Sequence, residues 1–395
     1  MIFYRLKHLA LFLFLSTLST AVLADDSLLV NPKVTRMHLK GFIKDMQSLS
    51  FVDNAKSLIT GNLIHNRINF RWDISAQFHI RLEARNRLFY GEQVKTTYQF
   101  GKYVDIDNGL MDISYNIVDD TSVVLNTMLD RVLLNWSGKK WDITLGRQRI
   151  NWGINLVWNP NDIFNAFNYF DFDYEERPGT DAMRVQCNVG KVSTLELAYK
   201  LTDNRKEQVG AFMHKTNFKK YDWQNFAGVY YQDMVVGTGW AGNIQNTGFK
   251  GEASYFHPYE NAADTTGALS ATVSLDRSFK KEYFVMVSYL YNSSAKGLMY
   301  GVNELTGAVL SPKKLMPFRH SFFAQVSKGF SPLVNGSLSC VFSDDHCTLV
   351  LLPSFSVSVS DNWDVAMIGQ SFFSETGGTY HTLGNGIYFR LRWSY

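Results

Sequence analysis

Large apolar side chains alternate with polar ones over many segments of this chain. In the closing segment GIYFRLRWSY, residues 386–395, every second residue is large and apolar, and two of the residues between them are Arg390 and Arg392. The same period of two runs through residues 61–72, 77–89, 181–190 and 194–201. A period of two places successive side chains on opposite faces of an extended strand. The pattern therefore predicts a chain built from amphipathic β-strands.

Short and long connections alternate between these predicted strands. Counting back from Tyr395 gives eighteen strands, with short links on one side and longer, polar or irregular links on the other. The predicted strands begin near Arg36, Asn62, Gln77, Leu129, Trp141, Asp181, Ser193, Gln208, Asp222, Val235, Gly248, Gly267, Glu282, Phe318, Leu333, Thr348, Trp363 and Gly386. Sixteen strands are the alternative, because the boundaries between residues 208 and 257 are the least sharply marked. The segment Leu110–Met128 fits the count only as part of a long second outer loop.

An even number of strands with both ends on the short-link side is the arrangement of an outer-membrane β-barrel. A secreted β-sandwich or propeller is the rival interpretation. The predicted strands are about ten residues long, which is the length that a tilted membrane strand needs. A sandwich would leave dense rows of arginine on a flat exterior, whereas a barrel places them around water and closes every strand edge. The predicted fold is therefore all-β, a transmembrane antiparallel β-barrel.

The N-terminus has the layout of a secretory signal peptide. Arg5 and Lys7 precede an apolar run from Leu9 to Leu15, and Val22-Leu23-Ala24 stands before Asp25. An uncleaved anchor is the alternative, but this run is shorter than the roughly 20 residues that a helical span needs. We therefore expect a signal peptide over residues 1–24 and a single barrel domain over residues 25–395.

The amino-acid composition agrees with an exported β protein and bears on whether nucleic acid is a partner. Aromatic residues make up 15% of the chain, with 28 Gly and only 8 Pro. The formal net charge is +3, which is close to neutral for this length and gives no indication of nucleic-acid binding. The mean hydropathy of −0.14 is that of a soluble protein. It also suits a barrel, because only alternate residues of a barrel strand meet lipid.

The long third outer loop, residues 151–181, carries the most distinctive chemistry. It holds about ten aromatic residues, which are costly to leave in water. We expect it to fold into or over the lumen, where its carboxylates would form a constriction: Asp162, Asp171, Asp173, Glu175 and Glu176. Opposite them we expect inward-facing, pore-lining arginines: Arg67, Arg71, Arg81, Arg85, Arg87, Arg184, Arg390 and Arg392. Opposed charges across a narrow pore orient and filter solutes. The alternative is an outward loop whose ion pairs only satisfy buried charge.

Two arginines break the alternation before the third loop. Strict parity after Leu145 would send Arg147 and Arg149 into lipid, at a cost of about 2–4 kcal/mol each near the midplane. Either the strand has left the bilayer there, or a bulge at Gly146 turns Arg147 inward. Both explanations place these arginines beside the third loop, so Arg147 or Arg149 is expected to anchor it.

The stretches LGRQRINWG (residues 145–153), NPNDIFN (residues 159–165) and ERPGTDAMR (residues 176–184) resemble segments of bacterial outer-membrane porins, in particular the larger substrate-channel porins. The resemblance implies passive diffusion of small hydrophilic solutes across the bacterial outer membrane. It implies outer-membrane lipid and lipopolysaccharide as surroundings, and barrel-assembly machinery that reads Tyr395 as an insertion signal. Many such proteins are homotrimers. No cofactor and no metal is expected.

The three cysteines raise one structural question. Cys340 and Cys347 flank the tip of a predicted hairpin, so in an oxidising compartment they could pair, while unpaired thiols are the alternative. Cys187 lies on a lipid-facing position and is expected to be a small apolar residue.

A channel is the leading functional hypothesis, and the arginine surplus predicts a preference for anionic solutes. A closed structural or adhesin-type barrel is the main alternative. An outer-membrane hydrolase is a further one, because His65 and His79 face the interior, but no motif marks an orienting partner for a Ser–His pair.

Overall fold

The computed structural model of the chain describes residues 36–52, 57–107, 109–166, 169–170, 179–259, 266–297, 310–344 and 347–395. The predicted signal peptide lies outside these residues, so its cleavage stays a prediction. No helix in the described ranges is long and apolar enough to cross a membrane.

Nineteen antiparallel strands are found among the described residues, and eighteen of them form a closed barrel wall. They are β1 (Met37–Val52), β2 (Ser57–Asp73), β3 (Phe78–Tyr90), β4 (Ser114–Asp119), β5 (Val123–Ser137), β6 (Trp141–Gln148), β7 (Thr180–Asn188), β8 (Ser193–Lys200), β9 (Val209–Phe218), β10 (Tyr221–Tyr230), β11 (Asp233–Ile244), β12 (Thr247–Pro258), β13 (Ala268–Phe279), β14 (Tyr283–Asn292), β15 (His320–Ser331), β16 (Val334–Ser343), β17 (Thr348–Ser360), β18 (Trp363–Thr376) and β19 (Thr379–Ser394). Each wall strand pairs with the next, and β19 returns to pair with β1, for example Trp393 with Ile43. The predicted barrel of eighteen strands is therefore confirmed.

Short helical turns lie in the connections. The second outer loop contains α1 (Glu92–Thr96) and α2 (Phe100–Val104). Single 3₁₀ turns occupy Arg205–Glu207 and Lys280–Glu282.

The two faces of each strand differ as the sequence pattern predicts. On β19, Phe389 and Leu391 remain 47% and 43% exposed, whereas Arg390 and Arg392 between them are half-buried on the inner side. Exposed apolar side chains of this kind recur around the barrel wall. In water they would be unfavourable, but lipid covers them at no hydrophobic cost.

One part of the predicted layout is corrected by the structure. Residues 110–128 are not simply an outer loop, since β4 forms within them and β5 begins at Val123, six residues before the predicted start near Leu129. β4 pairs with the outer half of β5, for example Tyr115 with Thr127. β6 pairs only with the inner half, up to Arg147 opposite Val132. β6 ends at Gln148, where the third outer loop begins. Beyond that level of the wall, β4 from the second outer loop pairs with β5 instead.

A β-bulge in β5 places a carboxylate inside the barrel. The pairing with β3 skips Asp130, because Glu83 pairs with Arg131 and Ala84 pairs with Leu129. Both Asp130 and Arg131 are buried as a result. Strict alternation would place these two neighbouring side chains on opposite faces of the strand, and a bulge of this type changes the direction of one of them.

Candidate functional site

The described part of the third outer loop, residues 149–166 and 169–170, folds into the barrel. Trp152 is buried, and its Nε1 donates to the Glu196 carboxylate of β8 at 2.7 Å. Its backbone carbonyl accepts a hydrogen bond from Gln224 of β10 at 2.6 Å. Ile150, Trp152 and Ile163 pack in one apolar cluster with inward residues of β7 to β13. The predicted inward folding of this loop is therefore confirmed.

Glu252 of β12 is the main polar anchor of the loop. Its carboxylate accepts from the backbone N–H groups of Ile154 at 2.6 Å, Asn155 at 2.7 Å and Asn161 at 3.0 Å. Ser254, two residues along the same strand, donates to the Asn161 side chain at 2.8 Å. Glu252 is 1% exposed, and these donors satisfy its carboxyl oxygens.

The later described residues of the loop contact the wall strands β14 to β18. Trp158 and Phe170 lie in a second apolar cluster with inward residues of β14 to β18, including Phe323. Tyr169 donates to Ser339 of β16 at 3.4 Å, and burial raises the pKa of its hydroxyl. Gln370 of β18 donates to the backbone carbonyl of Phe170 at 2.9 Å. The loop is thus fastened to the wall from β7 round to β18.

Asp162 lies within the fold of the loop. It is 0% exposed, and its Oδ1 accepts from the backbone N–H of Trp152 at 3.4 Å. This position stabilises the loop from inside instead of presenting a carboxylate to solvent. Asp171, Asp173, Glu175 and Glu176, the other predicted constriction acids, lie outside the described residues.

The wall from β19 to β3 carries basic side chains in register. Arg392 pairs with Lys44, Lys44 with His65, and His65 with Arg87, across β19, β1, β2 and β3. We call these four residues the basic row. All four positions lie on the inner face, where Lys44 and His65 are buried. Arg390 lies two residues from Arg392 on the same face.

Beside the basic row, two further inward-facing arginines pair with acidic side chains. Arg67 contacts Glu83 at 2.6 Å and also pairs with the bulged Asp130. Arg85 approaches the other oxygen of Asp130 at 3.1 Å. Removing Asp130 would leave two buried guanidinium groups facing each other, so this cluster is structural as well as part of the lumen wall.

The remaining predicted pore-lining arginines lie away from this layer. Arg71 pairs with Asp73 at 2.8 Å near the short-link end of β2, and Arg81 is exposed at the register position opposite Arg71. Arg184 contacts Glu196 at 3.0 Å on the β7–β8 side, next to the entry of the third loop. The predicted set therefore divides among three parts of the lumen wall.

Arg147 joins the second outer loop to the end of the third. Its Nε lies 2.8 Å from Asp181, its Nη1 lies 2.6 Å from Asp107, and its Nη2 donates to the Met111 carbonyl at 2.7 Å. The pairing of β6 is uninterrupted at Gly146, so no bulge inserts a residue there, although Gly146 adopts a φ of 110°. Arg147 is buried because its acids and the second loop cover it. No ion pair of Arg149 occurs within the described ranges.

A cavity of about 380 Å³ lies between the basic row and the second outer loop. His65, Arg85 and Arg87 line one side, and Phe100 and Tyr103 of α2 line another. Arg87 also donates to the backbone carbonyl of Val104 at 3.0 Å, which ties α2 to the wall. The cavity therefore combines basic and aromatic surfaces.

The predicted disulfide is not formed. Cys340 and Cys347 are free thiols. Cys340 pairs in register with Leu351, four residues beyond Cys347 on the other side of the hairpin, so the two sulfur atoms are too far along the strands to bond. Cys187 is also free, on β7.

Tyr395 closes the seam between the first and last strands. Its backbone N–H and carbonyl exchange hydrogen bonds with Gly41 at 2.9 and 3.0 Å. A role of this residue as an insertion signal stays a prediction. The described part of the chain contains no group of three or more His, Cys, Asp or Glu residues that could hold a metal ion.

Sequence reasoning missed the wall residues that hold the third loop: Glu196, Gln224 and Glu252. Each is a polar residue on the inward face of a strand, which a pore-lining residue would also be. The sequence carries no local signal that separates these residues from pore-lining ones.

No protein-family model matches the chain, and no match was found among curated proteins. Solved structures do match its fold. OccAB4 of Acinetobacter baumannii aligns with a TM-score of 0.59 at 11% identity, covering 92% of this chain and 100% of that one. OprD of Pseudomonas aeruginosa aligns with a TM-score of 0.57 at 7% identity, covering 91% and 95%. The outer membrane protein OpdK of the same organism has a TM-score of 0.57 at 7% identity, covering 91% and 99%. The predicted likeness to the larger porin-type barrels is confirmed at the level of fold.

Proposed function

We propose that the chain is an outer-membrane channel for passive diffusion of small hydrophilic solutes, with a preference for anions. The observation that carries the proposal is the basic row on the inner face of β19, β1, β2 and β3. A closed barrel with an apolar exterior and a charged interior is suited to a bilayer and to water at once. The fold shared with the outer membrane protein OpdK supports the same location.

The anion preference is inferred from the sign of the charges on this wall. Arg392, Lys44 and Arg87 add positive charge in neighbouring register positions, and Asp364 of β18 adds one carboxylate at the end of the row. In a narrow opening the dielectric constant is low, so these charges attract anions over distances at which salt in bulk water would screen the interaction. Solutes that carry carboxylate or phosphate groups would find charge-assisted hydrogen-bond donors at Arg87 and Arg392, the two partly exposed members of the row.

The third loop sets the size of the opening. Its described part packs into two apolar clusters beside β7 to β18, and we propose that solutes move along the basic row on the remaining wall. The same observation bears on the alternative of a closed barrel, because a loop that fills more of the lumen would block the passage of solutes. The barrel is proposed to be non-catalytic, because its basic row and loop anchors provide binding and support but no nucleophile.

Swelling of liposomes that contain the purified protein tests this proposal. We expect swelling with small carboxylates and phosphate that is faster than with neutral sugars of similar size. Deletion of residues 155–163, within the third loop, should accelerate swelling with all solutes. If neither the native protein nor the loop-deleted variant permeabilises liposomes, the barrel is closed and the channel proposal is wrong.

A further inference from the structure

A hollow of about 390 Å³ lies on the outer surface of the wall strands β12 to β16. Two small outward residues, Ala324 of β15 and Cys340 of β16, pair in register and leave this space. Larger outward side chains surround them: Phe249, Leu275, Val287, Tyr289, Phe322 and Phe342. Because these side chains are apolar apart from one phenol hydroxyl, the hollow suits a hydrocarbon chain.

Two cations lie on the same outer surface, nearer to the end of the barrel where the links are short. Arg277 of β13 is two residues from Leu275, and Lys328 of β15 is four residues from Ala324. At a rise of about 3.3 Å per residue, Lys328 stands about 13 Å along its strand from the hollow. Short links mark the periplasmic end of a membrane barrel, so both cations lie toward the periplasm.

Aromatic rings accompany both cations. The Lys328 ammonium lies 4.6 Å from the centre of the Tyr283 ring and 5.2 Å from that of Phe330, and it donates to the Tyr283 hydroxyl at 3.0 Å. The Arg277 guanidinium lies 5.2 Å from the centre of the Phe279 ring. All three aromatic side chains are exposed at strand ends. Aromatic residues in this position mark the boundary between the apolar band and the headgroups, so the two cations stand at headgroup level.

The charge of these two cations is directed outside the barrel. Asp276, next to Arg277, points inward and contacts Lys250 at 2.9 Å. The Glu282 carboxylate lies against Gly329. Among the residues that the structure describes, neither Arg277 nor Lys328 forms an ion pair with a carboxylate. Most lysine and arginine residues of the wall strands lie on inward positions instead, so this outward pair is available to an anion in the membrane.

We propose that this face binds an anionic phospholipid of the periplasmic leaflet. Its phosphate accepts hydrogen bonds from Arg277 and Lys328, and one acyl chain passes the Val285 and Val326 side chains to enter the hollow. A guanidinium offers paired donors to a phosphate, and an ammonium adds a second charge. Val285 and Val326 pair in register with each other, and Val285 pairs with Arg277, so they lie between the cations and the hollow.

The dimensions of the bilayer fit this arrangement. The apolar band of such a barrel is about 25 Å tall, so one leaflet supplies about 12 Å of it. With strands tilted by about 40°, the hollow stands about 10 Å above Lys328, within the acyl chains of the same leaflet. The inference concerns lipid binding on the exterior and does not rest on the proposed channel function.

Native mass spectrometry of the purified protein in a mild detergent, with lipid added in steps, tests the headgroup contacts. We expect the native protein to retain phosphatidylglycerol at a concentration at least tenfold lower than phosphatidylcholine, whose headgroup carries no net charge. Arg277→Gln with Lys328→Gln should remove this difference. Lys219→Gln with Lys220→Gln removes two cations from the β9–β10 turn at the same end of the barrel and should preserve it. Equal retention of the two lipids by the native protein, or an unaltered preference in the Arg277 and Lys328 variant, would overturn the proposal.

Ala324→Phe tests the acyl-chain contact without changing any charge. The larger side chain fills the hollow, so we expect the variant to need at least tenfold more phosphatidylglycerol for the same occupancy. Ala227→Phe, at an exposed outward position of β10, is the matched control and should bind the lipid as the native protein does. If Ala324→Phe retains the lipid at the native concentration, no acyl chain occupies the hollow and the proposed site is wrong.

Photo-crosslinking locates the lipid on the native protein and does not depend on how any variant folds. Phosphatidylglycerol with a diazirine in one acyl chain, irradiated in proteoliposomes, should label residues 322–326 and 338–342 most strongly. The same diazirine on phosphatidylcholine should label the barrel exterior more evenly. Identical labelling by the two lipids would show that this face does not select a headgroup and would contradict the site.

Discussion

Single buried carboxylates and guanidinium groups hold the lumen in its present form. Glu252 receives the backbone N–H groups of the third loop, Asp130 lies between two arginines, and Arg147 joins two outer loops. Each of them sits on a wall strand and contacts chain segments that are distant in sequence. At this scale, charge-assisted hydrogen bonds and ion pairs join the wall strands to the outer loops and to one another.

Glu252→Gln should loosen the third loop. An amide places N–H donors against the backbone N–H groups that the carboxylate now accepts, so we expect a loss of about 2–4 kcal/mol of unfolding free energy. Thermal unfolding followed by circular dichroism measures the loss, and current noise in bilayer recordings should increase. Glu282→Gln in the exposed turn before β14 is the matched control and should change neither.

Arg147→Ala should release the second outer loop. The change leaves the carboxylates of Asp107 and Asp181 buried without their cation, which typically costs about 3–5 kcal/mol. We expect limited proteolysis between residues 105 and 112 to become at least tenfold faster than in the native protein. Arg149→Ala, two residues along, serves as the comparison. If both variants are cleaved at the native rate, the contacts of Arg147 do not hold the loop.

The third loop acts as one element because it is fastened at both ends and in the middle. Its first part packs in a cluster beside β7 to β13, Glu252 holds its centre, and its later part packs beside β14 to β18. An element with this many attachments is expected to narrow the lumen permanently rather than to open and close freely.

Trp152→Ala should widen the channel. The change removes a fully buried indole and leaves the Glu196 carboxylate without one of its donors, at a cost of about 3–5 kcal/mol from lost packing. We expect single-channel conductance to rise and its variance to increase. Trp141→Ala changes an indole on the outward face, 49% exposed, and should leave conductance unaltered. Equal conductance of the two variants would mean that Trp152 does not limit the opening.

Most strands were predictable from this sequence, whereas the side-chain contacts that hold the third loop to the wall were not. Lipid on one side and water on the other impose a period of two, so β6, β8, β17 and β18 begin where the pattern predicts. β4 and the early start of β5 escaped prediction, because the bulge at Asp130 interrupts the parity that marks a strand. Glu252 contacts residues 91 to 98 positions away, and no local pattern can reveal such a pair.

At the scale of the whole molecule, the barrel presents two different surfaces. Its exterior carries many exposed apolar side chains, and its interior carries the basic row on β19, β1, β2 and β3. The first surface suits lipid, and the second is proposed to favour anionic solutes. The proposed function therefore depends most on whether the basic row governs which ions cross the barrel.

The reversal potential of the purified protein in a planar bilayer, under a tenfold KCl gradient, tests this claim most directly. The native protein should show channels with a reversal potential on the chloride side. Lys44→Gln with Arg392→Gln removes two charges of the basic row and should move that potential toward zero or reverse it. Lys328→Gln, on the outward face of β15, should leave it unchanged. Cation selectivity of the native protein, or a potential that is unaltered in the doubly substituted variant, would contradict the account.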